Sequence, residues 1–247
     1  MTERWYTVQQ PILFPPIYMM ERFARCHDVV VLDDAQFDRD NTQFKLMAKD
    51  GPRLQSVQLE AENYSLPFNK RKVLMPEVWQ RKLLNTVQTV YGKQEHYRKL
   101  APWFHQLVHD MAGETDLHLF CLMSVRALLD VLRAPTVLHM GSALCHERPS
   151  EPTAWISSFC SQLQATDYVQ GMKSMRSYFV KGPFENQNCR TWGQDFATEY
   201  VSTAGRLSDA SMSILDHLFT QGVESTRRML LLDKGPGNQG TVILETR

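Results

Sequence analysis

The sequence predicts an α/β fold: a small, mostly parallel sheet flanked by helices, with a helical insertion. Three observations predict it. Val29, Val30, Val31 and Leu32 form an unbroken aliphatic run, as strands buried on both faces do. The chain opens in the order strand, loop, helix, strand, which seeds a parallel sheet through a crossover helix. Between about residues 76 and 134, three successive segments carry helical apolar spacing with no strand among them.

The elements follow in order. Trp5 to Gln9 reads as the first strand, and Pro11, Pro15 and Pro16 force an extended loop after it. Ile17 to Cys26 reads as a helix, with Met20, Phe23 and Ala24 at helical spacing. The Val29 strand comes next. Gln43 to Ala48 and Leu54 to Leu59 form a hairpin about the turn signal Asp50-Gly51. Residues 60 to 75 read as loop.

Trp79 to Tyr91, Glu95 to Ala112 and Thr115 to Leu132 read as helices, with Gly92 and Gly113 placed to end the first two. Thr136 to Met140 is a short strand, Pro152 to Leu163 a helix, and Tyr168 to Gln170 a further short strand. Residues 181 to 195 read as irregular. Met212 to Gln221 and Val223 to Leu232 read as closing helices, the first capped by Ser208 with Asp209 in its first turn. No composition shift demands a boundary. One Rossmann-like domain over residues 1–234 is expected, followed by a flexible Gly-rich tail, 235–247, with a late strand-like run from Thr241 to Leu244.

Composition excludes several classes. Of 247 residues, 43% are hydrophobic and 22% charged, which are ordinary globular values. Lys and Arg number 27 and Asp and Glu 27, so net charge implies no global attraction to nucleic acid or anionic membrane. No run is apolar enough to span a bilayer, and Met1 to Gln10 lacks a signal core, so no membrane partner is expected. The five cysteines, scattered and without a C-x-x-C pair, fit reduced, buried thiols in a cytoplasmic protein. Phosphate-loop, dinucleotide, nucleophile-elbow and H-E-x-x-H signatures are all absent. His105 and His109 share a helix face but lack a third nearby ligand, so no metal site is assigned to them.

Three constellations remain. In the first, Gln10 sits between the first strand and Pro11, where a rigid loop holds an amide that both donates and accepts. In the second, the Val29 strand empties into Asp33 and Asp34, then Gln36, Asn41, Gln43 and Lys45. A strand ending in polar groups delivers side chains to the carboxyl edge of a sheet, where α/β proteins bind ligands. Adjacent carboxylates point opposite ways, so one suits a base or a divalent-cation ligand while the other orients or caps. Lys45 would offset phosphate charge. A solvated loop with a capping Asp fits the same residues. In the third, Ser213 and Asp216 share one face of a helix striped by Ile214, Leu215, Leu218 and Phe219. Anchoring the helix to the site loop suits that pair as well as chemistry does.

Together these blocks resemble the WbqC-like family. The residues are Gln10-Pro11-x-x-x-Pro15, Asp28-x-x-x-Leu32-Asp33-Asp34-x-Gln36-Phe37, Asn41 and Gln43, and Tyr91 with His96-Tyr97. Tyr168-x-x-Gly171 with Tyr178 follows, then Ser213-Ile214-Leu215-Asp216-x-Leu218-Phe219-x-x-Gly222. The likeness covers about residues 8 to 222. It departs where the family has an N-R-N-like stretch and this chain has Gln43-Phe44-Lys45, and where Pro16-Ile17 replaces an aromatic.

The resemblance implies a transferase that attaches a small group, glycine- or serine-like, to an activated acceptor such as a nucleotide-linked amino sugar of polysaccharide biosynthesis. A second reading is a bacteriophage-type amino acid:DNA transferase, displacing pyrophosphate from an activated hydroxymethyl pyrimidine in hypermodified DNA. Arg22, Arg25, Arg39, Lys70, Arg71, Lys72, Arg81 and Lys82 would supply its basic surface. A third is a non-catalytic nucleotide or nucleic-acid binding module. On the transferase readings Asp33, Asp34 and Lys45 are catalytic. Gln10, Gln36, Asn41, Gln43, Tyr168, Tyr178 and Asp216 bind substrate, with a divalent cation as a possible cofactor. Nothing in the sequence sets an oligomeric state.

Overall fold

The computed structural model describes residues 3–60, 65–144, 148–177, 179–195, 200–201, 207–208, 211–230 and 242–245. β1 (Trp5–Gln9) leads through the proline loop to α1 (Ile17–Arg25) and β2 (Asp28–Val31). A 3-10 turn over Arg39–Thr42 precedes the hairpin of β3 (Gln43–Ala48) and β4 (Gly51–Ser56). α2 (Pro76–Tyr91), α3 (Glu95–Met111) and α4 (Leu117–Val131) follow. Next come β5 (Val137–Met140), the short α5 (Gly141–Leu144), α6 (Pro152–Leu163) and β6 (Asp167–Gly171). α7 (Met172–Ser177) and α8 (Gly182–Glu185) lead to β7 (Arg190–Asp195). The two-residue strands β8 (Tyr200–Val201) and β9 (Leu207–Ser208) pair with each other before α9 (Ile214–Met229) and β10 (Val242–Glu245).

The main sheet has the order β10-β7-β6-β1-β2-β5. From β7 to β5 every pairing is parallel, and β10 joins antiparallel at one edge. The fold is therefore α/β and Rossmann-like. The chain runs outward from β1 through β2 to β5, then returns to lay β6 on the other side of β1. Strand order thus reverses beside β1, and crossover helices lie on both faces.

Side-chain alternation feeds two cores. Trp5, Val29, Val31 and Val169 face α1 and share the larger core with α2, α3, α4 and α9. Tyr6, Val30 and Tyr168 face Trp155, Ile156 and Phe159 of α6 in the smaller one. The helices after β4 thus share a core with the sheet. Phe14 ties the proline loop into that core, packing its ring on Phe44, Trp79 and Phe104 at centroid distances of 5.0, 6.5 and 6.1 Å. Burial holds Phe14 in the left-handed region at φ 40°.

Two sequence readings need correction. Residues 181–195, read as irregular, contain α8 and the interior strand β7. No apolar period marks β7, because polar partners hold its side chains: Arg190 and Trp192 bind Asp167, and Gln194 binds Glu21. The cap of α9 is Ser213, whose hydroxyl accepts from Leu215 N at 3.3 Å, and Ser208 lies in β9. Gly222, at φ 81° and ψ 171°, is non-helical and divides α9 at a kink into two helical segments, as the reading of closing helices on either side of it expects. Among the described residues no helix is long and apolar enough to cross a membrane. Cys26, Cys121, Cys160 and Cys189 are buried free thiols. The late strand-like run is realised as β10, paired with β7.

The kink yields a stability prediction. The Gly222 backbone occupies a region essentially reserved for glycine, and a Cβ there would collide with the His96 ring. Gly222→Ala is expected to cost about 2 kcal/mol and lower the thermal midpoint by about 4–8 °C. An unchanged midpoint in differential scanning calorimetry would refute it.

Candidate functional site

A cavity of about 630 Å³ opens where the strand order reverses. Gln9 closes β1, Leu32 follows β2 and Gly171 closes β6, and all three line it. This is the carboxyl-edge crevice where open α/β sheets bind ligands. α1 contributes Tyr18 and Arg22 to one wall, and α6 contributes Trp155 and Ile156 to the other.

Backbone geometry fixes the polar rim. Leu32 N donates to Gln9 O at 2.9 Å, and Leu13 N donates to Asn41 O at 2.8 Å. The loops after β1 and β2 are thereby stapled together. Between them, the Gln10 amide nitrogen donates to Gln36 O at 3.2 Å, and its oxygen accepts from the Asn41 amide at 2.7 Å. The Asn41 amide and the Gln36 main-chain carbonyl together orient the Gln10 amide. Asp38 stands on the exposed rim, with Oδ1 accepting from Asp40 N at 3.0 Å.

The floor is formed by buried donors. Arg22 is 6% exposed, and Nη2 donates to the neutral Gln9 amide oxygen at 3.1 Å. Its Nε has no hydrogen-bond partner among the described residues. Gln170 is 4% exposed; its oxygen accepts from the Tyr168 hydroxyl at 3.4 Å, and its Nε2 has no partner among the same residues. A Cβ at position 171 would sit 2.9 Å from Arg22 Nη1, so Gly171 leaves room for the guanidinium. Burial raises the Tyr18 hydroxyl pKa, and the Arg22 charge only partly offsets that, so the phenol stays protonated.

Residues 10–228 match the WbqC-like protein family. The chain belongs to that family. A search of curated proteins finds no match.

The WbqC-like blocks divide by location. Gln10, Gln36, Asn41 and Tyr168 come together in the cavity wall. Asp33 lies apart from it: its carboxylate accepts from Ser142 N at 3.0 Å, Ser142 Oγ at 2.6 Å and Asn69 Nδ2 at 3.5 Å. Asp33 thus ties the end of β2 to the start of α5. Asp34 is not a lining residue either, although the next residue, Ala35, is; the Asp34 carbonyl accepts from the lining residue Arg148 at 3.1 Å. Burial and then the neighbouring Asp33 charge raise its carboxyl pKa, and Oδ1 has no partner among the described residues.

Gln43 and Lys45 stand on β3 outside the cavity lining, Lys45 exposed. Asp216 also lies outside it, fully buried, accepting from the Tyr91 hydroxyl and from Met47 N. The last block works as an anchor: Ser213 N donates to Lys45 O and Ile214 N to Pro15 O, both at 3.0 Å. Tyr178 lies outside the described residues.

Among the described residues no three His, Cys, Asp or Glu side chains converge as a metal-ligand set. Of the expected basic surface, Arg22, Arg25 and Arg71 are buried, whereas Arg39, Lys70, Lys72, Arg81 and Lys82 are exposed. Arg71 lies 3.9 Å above the Phe37 ring, and Lys72 pairs with Asp116. The residues that sequence reasoning missed are Arg22, Gln170, Arg148 and Trp155. Arg22 did carry a signal: it lies one turn beyond Tyr18, on the first helix after a strand that ends in two glutamines.

Proposed function

We propose that this WbqC-like protein is a transferase that joins an amino acid to an activated, nucleotide-linked acceptor. The observation that supports it is the cavity itself. Its 630 Å³ suits an amino acid together with the reactive end of a larger molecule. Its Gln10–Asn41–Gln36 circuit offers oriented donors and acceptors for a polar substrate. An amine nitrogen would attack the activated carbon, the new C–N bond would form as the leaving group departs with its electron pair, and a carboxylate would take the amine proton. Asp38 is a carboxylate that lines the cavity, and Asp34 adjoins the lining residue Ala35. Asp34 is the better acceptor, since its raised pKa brings it nearer neutral pH. Burial of Arg22, Arg25 and Arg71 takes three of the eight expected cations away from a DNA-tracking surface, which favours a small acceptor.

The test supplies labelled glycine or serine, a divalent cation, and either a nucleotide-linked amino sugar or DNA bearing a pyrophosphorylated hydroxymethyl pyrimidine. Label is expected in the sugar acceptor. Asp34→Asn is expected to slow transfer about 10²–10⁴-fold with the fold intact. Label in neither acceptor would overturn the reading; label in DNA alone would move it to the phage-type reaction.

A further inference from the structure

We propose that the cavity floor is an oxyanion subsite, built from the Arg22 guanidinium and the Gln170 amide. Three observations converge on it. First, Arg22 is a buried cation without a counter-ion: among the described residues no carboxylate lies within ion-pair range. Its neighbour Glu21 is already taken, by Arg25 and by the Gln194 amide. A buried, unpaired ion is strongly disfavoured unless something of opposite sign completes it.

Second, the unused donors belong to two different elements that meet at this floor. Arg22 Nε on α1 and Gln170 Nε2 on β6 both lack a partner among the described residues, and both residues line the same cavity. Buried donors of this kind are normally satisfied. Third, their neighbours hold other parts of both groups and leave these two donors uncommitted. Gln9 holds Nη2, Tyr168 holds the Gln170 oxygen, and Gly171 leaves space beside Nη1. The Gln170 oxygen is turned to the tyrosine, so its amino group is the free end.

The complement is a compact oxyanion: a carboxylate, as on an amino acid, or a phosphate, as on an activated nucleotide. A guanidinium suits either, through a two-point contact that lysine cannot copy. The transfer reading identifies which reactant carries the anion, and the assignment rests on that reading for identity only. The demand for an anion stands on the floor's own geometry.

Titration calorimetry at low ionic strength separates the sources, with glycine in one arm and inorganic pyrophosphate in the other. At least one is expected to bind the full chain. Arg22→Met and Gln170→Leu are each expected to weaken that binding about 10–100-fold, and Arg22→Lys to recover only part of it. Glycine binding assigns the floor to the amino acid, and pyrophosphate binding assigns it to the acceptor. Arg22→Met is further expected to keep or raise the thermal midpoint of the free protein, because it removes an uncompensated buried charge. An arginine with a purely structural role would instead lower it. Should Arg22→Met fail to fold, Gln170→Leu carries the test. Binding of neither anion, or equal binding by both variants, overturns the proposal. Binding without any label transfer leaves the subsite standing and sinks only the transfer reading.

Discussion

Truncating Phe219 to alanine lowers the stability of the fold by about 4 kcal/mol, and its thermal midpoint by about 8–16 °C. The side chain is fully buried, and its ring meets Tyr91, Tyr97 and Phe104 at 5.3, 5.1 and 5.1 Å. Those partners come from α2 and α3, so one ring joins both helices to α9. Edge-on and tilted contacts add to the area that each ring removes from water. Close-packed neighbours relax only partly, so the alanine variant keeps a cavity. One turn earlier Asp216 holds the Tyr91 hydroxyl and Met47 N, which fixes the ring stack against β3. Phe219→Leu preserves most of the volume and should cost under about 1.5 kcal/mol. Urea unfolding of both variants measures the difference; a loss below about 1 kcal/mol for the alanine variant would show the cluster to be loosely packed.

Lowering the pH from 7.5 to 5 removes about 2 kcal/mol of stability through His217 alone. Burial depresses this imidazole from its ordinary 6.5 to about 4. Its Nδ1 lies 2.9 Å from the Thr226 hydroxyl, which donates its proton to Gly222 O at 2.7 Å. Thr226 can therefore only accept from Nδ1, and the neutral ring carries its proton there. Charging the ring requires a second proton in a buried site. The unfolded chain binds that proton near pH 6.5, and the folded chain only near pH 4. Stability is thus complete above pH 6.5 and declines as pH falls through that window. Asp28 extends the decline to lower pH. Burial works against its charge, but hydrogen bonds from Arg4 and His139 outweigh burial and hold its pKa down. Its contribution is lost as pH falls through that depressed value. Urea titrations at pH 7.5 and 5.0 should show the drop in the parent and a flatter response in His217→Asn. Equal drops in both would assign the acid sensitivity elsewhere.

Legibility in the sequence followed burial. β1 and α6 have the boundaries that the sequence predicts. A proline follows β1 at Pro11 and another opens α6 at Pro152, and apolar residues fill one face of each. β2 was plain because both of its faces are buried, so it reads as an unbroken run. β7 stayed hidden because its burial is satisfied by hydrogen bonds and ion pairs, which leave no apolar period. The site divides in the same way. Gln10, Gln36 and Asn41 could be read because they stand in the loops that follow two legible strands, β1 and β2, which meet side by side. Arg22 and Gln170 could not, because neither sequence distance nor residue type tells a buried arginine from a solvated one. Asp33 and Asp34 were legible as a pair, but only the fold separates the anchored carboxylate from the one whose Oδ1 has no partner among the described residues.

The pairing of β1 with β6 bears on synthesis of the protein. Trp5 pairs with Asp167 and Tyr6 with Tyr168, so the central strand of the sheet waits for a partner made much later. On the ribosome, β1 and β2 emerge early with one hydrogen-bonding edge of β1 open. That edge is a template for intermolecular pairing until β6 arrives. The cavity is completed by the same late strand, because Tyr168, Gln170 and Gly171 form part of its wall. A nascent chain therefore acquires its ligand site and loses its sticky edge in one event. Ligand present during translation would reward only chains that have passed that checkpoint, and truncated products ending before residue 167 would be substrates for quality control.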